Sequence, residues 1–220
     1  MATAPNYVEK RHFRNVAIVG GGLSLSGLDH LFNVDMDRSR GHLVAVNDAW
    51  RAVQAPGDIV SIDTSNLGLR FSDCIWKPII GVPEDYGTEW SRYACDREPL
   101  RPGWKYMRRV PGSKLSSNNT ELSSGENSGF AAMNLAFHMR PRRIFLFGID
   151  LMDMQHHWHP HMHERKEDAA KTIRMRRNFN NSYGLLRKHG IEVINCSRMS
   201  TIEAFEKVTP ERGIEIWNTL

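Results

Sequence analysis

Five histidines, His156, His157, His159, His161 and His163, fall within eight residues, with Trp158 and Pro160 among them. An imidazole titrates near neutral pH, so one of these side chains can take a proton from a hydroxyl as a general base. Neutral imidazoles also ligate transition metals. The spacing is not HExxH, however, and Pro160 interrupts any helical pair. The alternative is that the histidines serve structure only. Asp150 and Asp153 lie just upstream. Carboxylates there could hold Mg²⁺ or Mn²⁺ or orient a substrate hydroxyl, or be solvated loop acids.

A glycine-rich run, Gly20-Gly21-Gly22-Leu23-Ser24-Leu25, follows an apolar stretch. A turn of this kind between a strand and a helix aims backbone N–H groups at a phosphate. It is not a Walker A loop, because Leu28 stands where the lysine is needed. It is not GxGxxG, because Leu25 takes the place of the third glycine. The alternative is a turn that only packs a helix on a strand. Asn47 and Asp48 stand where a dinucleotide-binding fold places a ribose-binding acid, and Asn47 suits a base or ribose equally. Asp63 ends a third apolar run. Asn127-Ser128-Gly129 opens a helix, where Ser128 can cap it or donate to a phosphate.

The elements that must position these residues follow from apolar patterning. Buried strands are predicted over residues 15–19, 43–46, 58–62, 143–147 and 191–194, with another over 75–80 that Pro78 interrupts. Helices are predicted around 28–32 and over 130–139, 168–189 and 200–208, with Gly190 as the C-cap of the long one. Residues 83–126 hold Pro83, Pro99, Pro102 and Pro111 and show little periodicity, so they read as an irregular insertion. Strands alternating with helices imply a mostly parallel sheet covered on both faces. The fold class expected is therefore α/β, a single Rossmann-like nucleotide-binding domain over 15–220 behind a basic leader over 1–14. Ligands in such sheets bind at the carboxyl ends of the strands. Those ends hold residues 20–25, 47–48, 63–65, 148–150 and 195–197.

A chain of 220 residues, 40% of them hydrophobic and 25% charged, suits one globular domain. No apolar run reaches the roughly 20 residues a membrane span needs, and residues 1–14 lack an apolar signal segment. Three cysteines without CxxC spacing argue against a disulfide framework and for a cytoplasmic protein. The net charge of +4 is clustered. Arg97, Arg101, Lys105, Arg108 and Arg109 form one group, Arg140, Arg142 and Arg143 another, and Lys171, Arg174, Arg176 and Arg177 a third. Such clusters suit phosphate-bearing ligands or nucleic acid, or they are solvated surface.

In order, GGGLSL, VND, ENSGFAAMNLAF, RIFLFGIDLMD, the histidines and IEVINCS resemble the bacterial sialyltransferases of glycosyltransferase family 42 and the related DUF115 proteins. The resemblance spans residues 15–208, with 83–126 unmatched. It implies a sugar transfer from a nucleotide-sugar (CMP-linked in family 42) with no obligatory metal. By that resemblance Gly22 and Ser24 would lie beside the donor phosphate and Asn47 would contact the nucleotide, with Gly20, Gly21, Asp48 and Asp63, at the strand ends, as further candidate binding residues. Ser128 and Gly129 would hold nucleotide or carboxylate, with Asn127 a candidate beside them at the helix start, and Asp150 would face the cytidine ribose or base. The base histidine precedes the last long helix, which points to His163 and then His161. Leu23 stands in place of a proline, and Leu151 and Met152 stand where the sialyltransferases carry phosphate-binding tyrosines. The DUF115 group also includes pyrophosphokinases, which would use ATP and Mg²⁺ held by Asp150 and Asp153.

The expected activity is thus an inverting glycosyl transfer to a hydroxyl on a glycan or a nucleic-acid base, with no membrane partner. Arginines of residues 97–109 would close over the phosphates as a lid. A non-catalytic nucleotide-binding module is the alternative outside enzymology.

Overall fold

The computed structural model describes residues 13–53, 57–61, 91–94, 104–152 and 169–219. The expected strand over 75–80, Asp63, Asp153 and all five histidines over 156–163 lie outside the described residues.

The strands in chain order are β1 (Asn15–Val19), β2 (Gly41–Val46), β3 (Asp58–Ser61), β4 (Ser91–Ala94), β5 (Trp104–Tyr106), β6 (Arg108–Val110), β7 (Glu121–Ser123), β8 (Arg143–Phe147), β9 (Glu192–Asn195) and β10 (Glu206–Lys207). The α-helices among the described residues are α1 (Ser128–His138), α2 (Ala169–Lys188) and α3 (Pro210–Asn218), and short 3₁₀ or π turns cover Leu23–Leu25, Leu31–Asp35, Arg38–Arg40 and Asn47–Arg51. One sheet runs β10-β9-β8-β1-β2-β3-β4-β5, and β6 pairs with β7. Neighbouring strands of the large sheet are parallel. The protein is the α/β, Rossmann-like domain that the sequence implied.

Continuous apolar runs explain the central strands, because a parallel strand is buried on both faces. Every residue of β1 is buried. Val16, Ile18, Val44, Val46, Ile144 and Leu146 pack on one face with residues of α1 and α2. Ala17, Val19, Leu43, Ala45, Phe145 and Phe147 pack on the other with Leu25, Phe32 and Trp217. Edge-to-face pairs tie the layers: Phe130 of α1 to Phe179 of α2 at 5.3 Å, and Phe145 of β8 to Trp217 of α3 at 5.4 Å. Burying each such ring contributes roughly 1.5–3 kcal/mol.

Helix α1 is buried along its whole length, and Gly129, Ala131, Ala132 and Ala136 let it lie close to the sheet. Helix α2 is amphipathic, and Gly190 at φ +71° ends it in the left-handed region that glycine adopts freely.

Three expectations are corrected. Residues 83–126 are not an irregular insertion where described, since they supply β4 and β5 to the sheet and β6 and β7 beside it. Their strands are three or four residues long, too short to leave an apolar period. The helix expected over 200–208 is absent, and β10 lies there instead. The last helix is α3, which Thr209 caps by accepting from the Arg212 N–H, with Pro210 in its first turn. The leader boundary also shifts. The Arg14 carbonyl accepts the N–H groups of Arg142 and Arg143, so residue 14 belongs to the domain.

Candidate functional site at the sheet's carboxyl edge

The chain leaves β1 toward β2 on one side and returns to β8 on the other, so the strand order reverses between β1 and β8. A crevice opens at such a point in an open parallel sheet. Two turns lie there, the glycine turn after β1 and the Gly148-Ile149-Asp150 turn after β8. They interlock through backbone. The Gly20 N–H donates to the Phe147 carbonyl at 2.7 Å, and the Gly22 N–H donates to the Gly148 carbonyl at 2.9 Å.

This approach demands glycine. A Cβ on Gly22 would lie 2.5 Å from the Asp150 Oδ2 and 2.8 Å from the Gly148 carbonyl oxygen. A Cβ on Gly20 would meet the Ile149 side chain and the Gly148 carbonyl. Gly148 itself sits at φ +64°. Gly129 faces the same Ile149 side chain, 3.0 Å from where its Cβ would be. Ile149 is therefore the point where the glycine turn, the GID turn and the start of α1 meet.

Ser24 and Asp150 are bonded to each other. The Ser24 N–H donates to Asp150 Oδ2 at 2.9 Å, and the Ser24 hydroxyl donates to Oδ1. Both residues are buried. The backbone donor expected to face a phosphate is thus directed at a carboxylate. A phosphate placed on the Ser24 N–H would meet the charge of Asp150, whereas a ribose hydroxyl can donate to the remaining lone pairs. Asp150 is held further by Thr201, whose N–H donates to the Asp150 carbonyl at 2.8 Å and whose hydroxyl donates to the Leu151 carbonyl at 2.6 Å. Leu151 adopts φ +50°, a conformation costly for a leucine. Ser197, after β9, accepts the Ile149 N–H at 2.9 Å.

At the start of α1 the cap is Asn127, not Ser128. Its Oδ1 accepts the Phe130 N–H at 3.1 Å. The first turn of α1 therefore begins beside Ile149, and the first amides of a helix have no partner within it. Arg109 reaches this turn, with Nε donating to the Ser124 hydroxyl at 3.2 Å. Of the other cations expected over the phosphates, Arg108 pairs instead with Glu121 at 3.1 Å, and Arg97 and Arg101 lie outside the described residues.

After β2, Asn47 adopts φ +51° and opens a 3₁₀ turn. Among the described residues its buried Oδ1 has no hydrogen-bond partner, and neither has the buried indole Nε1 of Trp50 three residues on. A buried orphan acceptor and a buried orphan donor are costly unless something else satisfies them. Asp48 is buried, with the Arg51 guanidinium 3.9 Å away.

Residues 107–126 are attached to α1 rather than hanging over the site. Asn134, fully buried, accepts the N–H groups of Ser116 at 2.9 Å and Ser123 at 2.7 Å, and donates to the Ser116 carbonyl at 3.0 Å. His138 donates from Nε2 to the Glu121 carbonyl at 2.9 Å. Burial holds its imidazole below the ordinary histidine value.

The site therefore brings together Gly20, Gly21, Gly22, Ser24, Asn127, Ser128, Gly129 and Asp150, with Asn47 and Asp48 two strands from β8. Trp50, Asn134 and Thr201 were missed by sequence reasoning. A polar Asn134 inside an otherwise apolar helical stretch was the one usable signal. Among the described residues, no group of three or more His, Cys, Asp or Glu could hold a metal ion. No helix among the described residues is long and apolar enough to cross a membrane. No family model matches the chain, and no curated protein or solved structure matches it.

Proposed function

We propose that this protein is a glycosyltransferase that moves a sugar from a CMP- or NDP-linked donor to an acceptor hydroxyl on a glycan or a nucleic acid. The supporting observation is the meeting of the glycine turn, the GID turn and the α1 start around Ile149, at the point where the strand order reverses. In this reading Asp150 accepts hydrogen bonds from the donor's ribose. Asn47 Oδ1 and Trp50 Nε1 find their partners on the nucleotide. The phosphate lies toward the Gly129 amide and Arg109, away from the Asp150 charge. His163 or His161 takes the acceptor proton as the oxygen attacks the anomeric carbon, and the sugar–phosphate bond breaks with its electron pair leaving on the nucleotide. We place the reaction in the cytoplasm, in keeping with a buried free thiol at Cys196.

A second reading, a Mg²⁺-dependent pyrophosphokinase using ATP, is favoured by one observation. A carboxylate, Asp150, fills the position at the glycine turn where a phosphate would otherwise bind. There Asp150 with Asp153 would hold the ion, and the ion would offset the repulsion between carboxylate and phosphate.

The test is turnover. CMP-, UDP- and GDP-linked sugars, and ATP with Mg²⁺, are incubated with the protein and the released nucleotide is measured. The transferase reading expects release from one sugar donor, reduced at least ~10²-fold in His163→Ala or His161→Ala with nucleotide affinity kept. Release from ATP alone moves the assignment to the pyrophosphokinase. Nucleotide binding with no release from any donor leaves a binding module.

A further inference from the structure

Helix α2 carries Lys171, Arg174, Arg176, Arg177, Arg187 and Lys188 over 20 residues and no acidic residue. The cations of the last turn suit the negative end of the helix dipole. Arg174 is offset by Glu126 at 3.1 Å. Arg177 and Lys188 are exposed and have no ion pair among the described residues. Arg177, Asn181, Gly184 and Lys188 follow one another along one exposed stripe, at helical spacing.

Gly184 lies on this stripe, and Tyr183 flanks it, with its ring 6.4 Å from Phe205 and its hydroxyl accepting from Arg187 at 3.2 Å. Gly184 lies in the helix interior with nothing within 4 Å of where its Cβ would be. Glycine there costs about 1 kcal/mol relative to alanine, and no packing among the described residues requires it. Tyr183 is 42% exposed, with the Arg187 guanidinium 5.9 Å over its ring. An exposed aromatic beside arginine is a platform on which a base stacks. A bare glycine backbone lets a partner strand come close.

The stripe also leads to the site. At the N-terminal half of α2, Asn178 donates to the Gly125 carbonyl at 2.9 Å and Arg174 holds Glu126, both in the turn that opens α1. From Lys171 to Lys188 the helix rises about 26 Å, a length that suits an extended polyanion. A lipid surface fits less well, because most of the apolar face of α2 (Met175, Phe179, Leu186) is buried in the core, which leaves only Ile173 and Tyr183 exposed among its large hydrophobic residues.

We propose that the outer face of α2 binds single-stranded nucleic acid, with Arg177 and Lys188 on phosphates, Gly184 under the backbone and Tyr183 against a base. The binding surface stands on these observations alone. Only the further step, that the strand is the acceptor, rests on the transferase reading.

The test is fluorescence anisotropy of the full chain with a labelled mixed-sequence 20-nucleotide DNA, in single-stranded and duplex form, at 50 and 200 mM salt. Vesicles with 30% anionic lipid form a separate arm. Expected are preference for the single strand and a steep fall of affinity with salt. R177E/K188E should weaken binding about tenfold or more and flatten the salt slope by at least ~1.4. Gly184→Leu should weaken binding while leaving the melting temperature equal or higher, which separates a contact role from misfolding. Tyr183→Ala should weaken it about fivefold or more. Lack of binding, binding indifferent to all three variants, or binding to vesicles but not DNA would each overturn the proposal. Nucleotide affinity, measured on the same variants, is expected unchanged. Its loss in wild type as well would sink the transferase reading and leave the α2 surface standing.

Discussion

Asp150 and Ser24 lie 126 positions apart and are joined by two buried hydrogen bonds, so the pair reports whether the two turns interlock as described. Replacing Asp150 by asparagine keeps the shape and removes the charge. The amide has one acceptor oxygen, so only one Ser24 donor keeps its partner in the same sense. The Ser24 hydroxyl can turn and accept from the new NH₂, which limits the loss. A hydrogen bond to a charged group contributes about 1.5–3 kcal/mol, which puts the cost of Asp150→Asn near 2 kcal/mol. For a chain of this size that is a fall of about 4–8 °C in melting temperature. Ser24→Ala removes the hydroxyl bond, leaves Asp150 with the backbone donor, and should cost about the same. In the Ser24→Ala background the charge has lost half its support, so adding Asp150→Asn should cost much less than it does alone. A double-mutant cycle in urea reads the difference. The expected coupling is at least ~1 kcal/mol, in the range for residues in contact. Costs that add to within ~0.5 kcal/mol would show that Ser24 and Asp150 are not bonded in solution and would refute the interlock.

Gly22→Ala should destabilise by about 3 kcal/mol, because its Cβ would meet both a carboxylate and a backbone carbonyl. Gly184→Ala should stabilise by about 0.5–1 kcal/mol, because its Cβ meets nothing; urea unfolding of both checks the opposite signs. Asn134→Ala removes three bonds to Ser116 and Ser123 and should expose residues 107–126, read as faster amide exchange there than in α2. Burial keeps His138 neutral in the fold below the ordinary value of 6.5. The unfolded chain therefore takes up a proton first as pH falls. The stability from this group is complete above about pH 6.5 and is lost as pH drops through the lower folded value. Unfolding free energy should thus fall less steeply between about pH 7 and 5 in His138→Gln than in wild type; equal slopes would contradict the burial.

The central sheet was legible because β1 and β8 are unbroken apolar runs that end in glycine, a pattern that burial on both faces imposes. The outer strands were not, because β4 to β7 are short and polar residues interrupt them. The last helix was placed too early. Ile202, Phe205 and Val208 mimic a helical period, while the stronger start signal, Thr209 with Pro210 and Glu211, stands just after them. The site residues were found as separate motifs, each at the end of a strand. Their pairing was not legible. That the donors of Ser24 turn to Asp150 depends on the register of β1 against β8, where Val19 stands beside Phe147. Asn127 rather than Ser128 as the cap depends on where the first helical turn closes, a shift of one residue that side-chain type alone does not decide.

The most direct test of the account is ligand stabilisation. Melting temperatures are measured with CMP, CDP, UDP, GDP, ATP and NAD, each with and without Mg²⁺ and Mn²⁺, for wild type and for Asp150→Asn. A ligand that binds only the folded state at 100 times its Kd adds about 2.7 kcal/mol, or roughly 5–11 °C for a chain of this length. The account predicts a rise with CMP or a nucleoside diphosphate. That rise, taken for each protein relative to its own ligand-free melting temperature, should be smaller in Asp150→Asn than in wild type. No rise with any nucleotide would contradict it, and the glycine turn would then only pack β1 against β8.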